Sequence, residues 1–182
     1  HWDIWTIGAD GGSPRRLTQG PGDENQPGWS RDGRFVYFAS RREGGTPDVW
    51  RIPASGGAEE RITQGGGAIS HESSDGRTLF FTRGFAGSPL IAVPLTGGPE
   101  RQLAECVANF AVGPDGLYCF ECAAGPQASV VVRDPATGRG RLLGTLERAE
   151  STGFTVSPDG RTILFTRLVG EGSDLMMIEN FR

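Results

Sequence analysis

A recurring turn is what most constrains the fold of this chain. Four Asp-Gly pairs, at Asp32, Asp75, Asp115 and Asp159, occupy the same place in the stretches WSRDGRFVYFAS, ESSDGRTLFFTR, VGPDGLYCFEC and VSPDGRTILFTR, at spacings of 43, 40 and 44 residues. A short apolar run ending in small residues follows (DVWRIPASGG, PLIAVPLTGG, VVVRDPATG), and then a tetrad such as ERIT, RQLA or RLLG. The chain opens on this second half, as DIWTIGADGG and RRLT. Self-similarity at this period belongs to solenoids and propellers, whose units bury their apolar faces against their neighbours.

Each unit reads as four extended segments. In the first complete one, strands are predicted at 27–30, 34–40, 48–52 and 60–63, joined at Asp32-Gly33 and Gly56-Gly57 by two-residue hairpin turns that use the positive φ of glycine. Val36/Phe38, Leu79/Phe81, Tyr118/Phe120 and Ile163/Phe165 keep a period of two on one face of the second strand. Four antiparallel strands in sequence order, repeated radially, make a propeller blade. The fold class is therefore all-β, a β-propeller segment of four-stranded antiparallel blades, about four blades in all. Residues 1–182 form one domain in this reading: a partial blade at 1–18, blades at about 25–63, 68–104 and 109–146, and a final partial blade at 151–182. That makes 17 strands, with the fourth strand of the last unit missing. Unpaired terminal strands leave sheet edges, so the reading expects either a homo-oligomer formed through them or a strained four-bladed closure with one terminal strand displaced.

The pattern W-S-x-D-G-R-x-φ-x-F-x-S, followed by D-φ-W-x-φ and R-φ-T, is similar to the repeat of TolB-like β-propellers over essentially the whole chain. That family includes periplasmic scaffold proteins, propellers that gate peptidases, and sensor regions fused to bacterial kinases or winged-helix regulators. The ending SDLMMIENFR resembles the C-terminus of the last group. The resemblance implies a periplasmic or extracytoplasmic location and a non-catalytic binding or sensor propeller, the C-terminal part of a larger bacterial receptor or regulator. Its partner would be a protein, a peptide or a small polar ligand. The alternative it implies is an accessory propeller gating a peptidase-type hydrolase whose catalytic domain lies outside this chain.

Several classes are disfavoured by the residues themselves. Net charge is −4 and the 18 Lys and Arg residues are scattered, so no footprint for nucleic acid is present. Apolar runs fall well short of the ~18 residues of a membrane helix, so no membrane insertion is expected within this segment. The chain opens at His1 without an initiator Met or signal pattern and reads as a piece of something longer. There are two histidines, no G-x-S-x-G and no H-E-x-x-H, and the Ser, His and Glu of SHESSD are neighbours on one strand, where they cannot converge as a triad. GDEN at 22–25 lacks the spaced oxygen ligands of a calcium loop. No enzyme, metal or cofactor is expected. Three cysteines are too few and too unevenly placed for a disulfide framework. Cys119 and Cys122, three apart on a strand, face opposite ways, and Cys106, Cys119 and Cys122 are expected to be packed or half-exposed thiols.

Binding is expected on the rim that carries the connections from strand four to strand one and from strand two to strand three, at 19–26, 40–47, 83–88 and 167–173. The candidates there are Asp23, Glu24, Arg41, Arg83 and Arg167, joined by His71 and Glu72. Glu72 stands three residues before its turn Asp, where the other units have Trp29, Val112 and Val156. A lone carboxylate at an apolar packing position is costly. Glu72 has three ways out: pairing with an arginine such as Arg83, turning with His71 toward channel water, or a one-residue slip that puts Ser73 inside; the second is expected, and Glu72→Val to be neutral or stabilising.

Overall fold

The computed structural model describes residues 1–42, 44–85, 87–122, 127–147, 149–169 and 172–179, with positions 147, 149–152, 168, 169 and 172–179 described by their backbone alone. The chain forms two compact units, one of His1–Gly84 with Pro94–Gly97, the other of Phe85–Val93 with Gly98–Arg182. No helix occurs among the described residues.

The first unit begins with an antiparallel pair, β1 (Trp5–Gly8) and β2 (Gly11–Arg16). A meander of β3 (Glu24–Trp29), β4 (Phe35–Ser40), β5 (Asp48–Pro53) and β6 (Glu60–Arg61) follows, and then β7 (Ser70–Glu72) paired with β8 (Thr78–Thr82). The second unit runs through β9 (Ser88–Pro94), β10 (Arg101–Gly113), β11 (Gly116–Cys122), β12 (Gln127–Arg133) and β13 (Gly140–Glu147), and then β14 (Ala149–Val156), β15 (Thr162–Val169) and β16 (Gly172–Glu179). Every pairing within each unit is antiparallel between strands consecutive in sequence.

Sixteen strands are described where the repeat suggests 17, because β10 serves twice. Its first half, from Arg101 to Val107, pairs with β9 as the last strand of one repeat, and its second half, from Val107 to Gly113, pairs with β11 as the first strand of the next. Register breaks on both sides of Val107 mark the handover. β3 starts three residues earlier than expected, at Glu24. A bulge between Asn25 and Gly28 makes this possible, with Gln26 in the left-handed region at φ 54°.

The Asp-Gly turns also differ from the two-residue hairpins expected. In three repeats four residues lie between the closing bonds, Ser30 N–H to Phe35 O, Ser73 N–H to Thr78 O and Ser157 N–H to Thr162 O. The serine organises each loop. Ser30 Oγ donates to Asp32 Oδ1 at 2.8 Å and accepts from Phe35 N–H at 2.9 Å, while Asp32 Oδ1 also accepts Arg34 N–H at 3.0 Å. Ser73 with Asp75, and Ser157 with Asp159, repeat the arrangement. The remaining repeat has Gly113 in the serine position, and there the turn shortens to Pro114-Asp115, with Gly113 opposite Gly116.

All eight alternating residues of the second strands are buried, from Val36 at 3% exposure to Phe165 at 4%. In the first three of these strands the opposite face is buried too, at Tyr37, Ala39, Phe80, Leu117 and Cys119, so they are enclosed on both sides, whereas Leu164 of β15 is half-buried. In the first unit Val36, Phe38 and Ile52 pack with Ile4 and Leu17. In the second, Tyr118, Phe120, Val130, Val132 and Ile163 form a core that Phe154 and Val156 extend.

A side-chain clasp joins strands three and four of the complete repeat in the first unit. Asp48 Oδ1 accepts Thr63 Oγ1–H at 3.0 Å and Gly66 N–H at 3.1 Å, Asp48 Oδ2 pairs with Arg61 at 2.5 Å, and Thr63 Oγ1 accepts Val49 N–H at 2.9 Å. Asp3, Arg16 and Thr18 stand in the same places in the opening half-repeat, with Arg16 on Asp3 at 2.7 Å and Ile4 N–H on Thr18 Oγ1 at 2.9 Å. The next two repeats lose the set: Pro89, Gln102 and Ala104 stand in its places in one, and in the other the strand register puts Ala128 where the carboxylate would be. A buried carboxylate without its donors is costly, which explains why the set disappears as one.

Two expectations are corrected here. Cys106 and Cys122 form a disulfide 16 residues apart in sequence, and Cys119 alone is a buried thiol. The pair lies just beyond Val107 and Glu121, partners at the open end of the β10–β11 hairpin, so the pairing of the strands brings the sulfurs together even though the spacing C-x15-C suggests no framework. Trp29 is 61% exposed instead of packed.

Candidate functional site

In the first unit, two successive Asp-Gly turns flank a cleft of about 330 Å³. Its floor is a linked set of side chains. Glu72, on β7, accepts Arg31 N–H on Oε2 at 2.5 Å and the Tyr37 hydroxyl on Oε1 at 2.8 Å. Burial, and then the Glu72 carboxylate, push the Tyr37 phenol well above its ordinary range, so it stays a donor at any physiological pH. Arg51 lies 4.6 Å over the Phe35 ring and pairs with Glu60 at 2.7 Å. The walls are Arg31, Arg34, Ser74 and Leu95, with Asp32 and Asp75 of the turns.

The two turn carboxylates are engaged by their own loops. The Arg34 backbone N–H, and after it the Ser30 hydroxyl, hold Asp32 down at about 2. The Ser73 hydroxyl, and after it the Arg77 backbone N–H, lower Asp75. Arg34 also pairs with Asp32 at 2.5 Å. Both turns are rigid, ionised rims over a fixed floor.

Glu72 takes none of the orientations expected of it. The register Glu72↔Leu79 matches Trp29↔Val36, so β7 has not slipped, and the carboxylate is satisfied by Tyr37 and Arg31. The phenol at position 37 supplies the compensation that the sequence reading sought in an arginine or in water. His71, its neighbour, pairs across to Phe80 and is half-buried.

The other candidates fall on the opposite side of the meander. Glu24 is fully buried and pairs with Arg42 at 2.5 Å, and Arg42 also pairs with Glu59 and lies 4.3 Å over the Trp50 ring. Asp23 is exposed and accepts Trp2 N–H at 3.1 Å, and its carbonyl accepts Arg41 N–H at 3.4 Å. The arginine turned inward is thus Arg42, beside the one the sequence reading chose. Arg42, Ser40, Thr46, Asp48, Trp50 and Arg61 line a smaller cleft of about 130 Å³. Arg83 donates to Gly66 O at 3.2 Å and lies 5.3 Å over Phe81, so it braces a loop. Arg167 is on β15 of the second unit. The cleft residues Arg31, Arg34, Phe35, Arg51 and Leu95 carry no separate sequence signal. They are visible only once the turns of successive repeats are placed side by side.

A four-stranded antiparallel meander, repeated along the chain and carrying polar clefts at both ends of its strands, is a β-propeller module. Residues 1–120 match the family model described as the TolB beta propeller domain, and the chain belongs to that family. Among solved structures, TolB from Acinetobacter baumannii is similar over 97% of this chain and 46% of its own length, with a TM-score of 0.82 and 20% identity. The putative TolB from Agrobacterium tumefaciens matches over 92% of this chain and 62% of its own, with a TM-score of 0.70 and 22% identity. A puromycin hydrolase is similar over 91% of this chain but only 29% of its own, with a TM-score of 0.61 and 19% identity. The chain thus spans less than two thirds of the length of these proteins, and at such identities they share its fold. No curated protein sequence matches it at a significant level.

Proposed function

We propose that this chain is a non-catalytic, extracytoplasmic binding module, an interaction platform or sensor for a peptide, a protein or a small polar ligand, and that the cleft between the Asp32 and Asp75 turns is its contact site. The observation that carries this reading is the fixed floor of Glu72, Tyr37, Arg51 and Phe35 under ionised rims, since recognition needs polar groups held in place beside apolar surface. Family membership supports a binding role, and the disulfide fits an oxidising compartment. The free thiol is a poor nucleophile, because burial, and then Glu121, push Cys119 up to about 12.

Selection of a random-peptide phage library against the 182-residue chain tests the reading. Ser74 is exposed on the cleft wall, so Ser74→Trp fills the cleft without disturbing the core. Selected peptides should lose binding to that variant; equal binding would remove the cleft from the proposal. Turnover of aryl esters or aminoacyl anilides by the chain above buffer rates would contradict its non-catalytic part.

A further inference from the structure

The charges around the turn cleft do not all pair with one another. Arg34 is tied to Asp32, and Arg51 to Glu60. That leaves Arg31, Glu72 and Asp75. The two carboxylates accept hydrogen bonds from uncharged groups: the Tyr37 hydroxyl and Arg31 backbone N–H for Glu72, the Ser73 hydroxyl and Arg77 backbone N–H for Asp75. No ion pair involves the Arg31 guanidinium among the described residues, although its backbone is anchored to Glu72. One cleft therefore presents a free guanidinium and two carboxylates held apart from it, beside Phe35 and Leu95.

We infer that the cleft binds a zwitterion carrying a large apolar group: an α-amino acid or short peptide with a free ammonium, a free carboxylate and an aromatic or branched side chain. This rests on the reading of the cleft as the contact site and narrows it to one ligand class. Arg31 takes the carboxylate, for which a guanidinium offers paired donors. Glu72 takes the ammonium on lone pairs left over from Tyr37 and Arg31 N–H, because an ionised carboxylate has about four acceptor sites. Phe35, its far face covered by Arg51, and Leu95 take the apolar side chain. A space of about 330 Å³ suits a ligand of one or two residues. Neither an anion nor a cation alone satisfies the site, because each leaves one sign of charge uncompensated.

Titrations of L-phenylalanine and of leucyl-phenylalanine, followed by backbone amide shifts at Arg31, Phe35, Ser74 and Gly76, test this and separate the free amino acid from the peptide source. N-acetylphenylalanine and phenylalaninamide should each bind about tenfold more weakly than phenylalanine. Arg31→Gln, at an exposed side chain, should erase the preference for phenylalanine over its amide while keeping the preference over the N-acetyl form. Equal affinity for all three forms, with shifts in the cleft, would overturn the zwitterion and leave the platform standing. Absence of cleft shifts with every probe would also overturn it, and the Ser74→Trp result with selected peptides would then decide whether the cleft binds anything else.

Discussion

Replacing Glu72 by valine separates a structural carboxylate from an ornamental one. The substitution removes the acceptor of the Tyr37 hydroxyl proton in a residue that is 1% exposed, and its other neighbour, Arg51, can only donate. Leaving a buried hydroxyl unsatisfied costs about 1–3 kcal/mol. Valine at a half-buried site recovers under about 1 kcal/mol of apolar transfer. The net expectation is a loss of about 1–2 kcal/mol, or roughly 2–8 °C in Tm for a chain of this size. This reverses what the sequence alone suggests, and the difference is the Tyr37 phenol. The assay is urea unfolding of wild type, Glu72→Val, Tyr37→Phe and the double variant. The cycle should show a coupling of about 1–2 kcal/mol, because once the hydroxyl is gone the carboxylate has less to satisfy. A stabilised Glu72→Val, or single losses that add to the double loss within about 0.5 kcal/mol, would refute the argument.

Reduction of Cys106–Cys122, or its replacement by alanines, should lower stability by about 3 kcal/mol, as for a closed loop near 15 residues, read from denaturant midpoints with and without reductant. Cys119 should resist alkylation by iodoacetamide at pH 8 in the native state and react only on unfolding, since its thiol is buried and pushed up to about 12. Thr63→Val should cost about 1–3 kcal/mol by freeing Asp48 and Val49 N–H, whereas Ala104→Thr, opposite Leu90 with Pro89 in place of the carboxylate, should gain nothing measurable in the same thermal melts. Asp32, Asp75 and Asp159 are all held below the ordinary 3.8, so each adds stability that is present above that value and lost as pH falls below it, for Asp32 on the way to about 2. Asp75→Asn should therefore flatten the acid limb of the unfolding curve, and an unchanged limb would count against the turn geometry.

The period of the Asp-Gly turns was legible because it is written in backbone requirements, and so were the buried second strands, whose alternating residues lie in the cores. The serine that lengthens three of the turns, at Ser30, Ser73 and Ser157, was equally present in the sequence, but its role depends on a hydroxyl bridging the aspartate and a backbone N–H five residues on. Partners distant along the chain were not legible. Glu72 meets Tyr37 across 35 residues, and Glu24 meets Arg42 across 18, so the sequence marks the odd carboxylate without naming what satisfies it. The disulfide was missed for the same reason, because its closure depends on hairpin register. The rim of long loops carries the smaller cleft around Arg42, whereas the larger one lies among short turns whose side chains converge from successive repeats, which no single stretch of sequence displays.

The double duty of β10 bears on how such a protein can be cut, shuffled or grown. Where a loop separates two repeats, as at 19–23, the chain can be opened or permuted without severing a ladder. Within Arg101–Gly113 there is no such joint, and Cys106 is bonded in the middle of the run. A chain break at 104–108 would split a strand that closes one hairpin and opens the next, so it should destabilise the fold more than a break at 19–23. The unit of inheritance visible in the sequence, some 40 residues from turn to turn, is thus not the unit of exchange, because two of these repeats can be moved only as a pair.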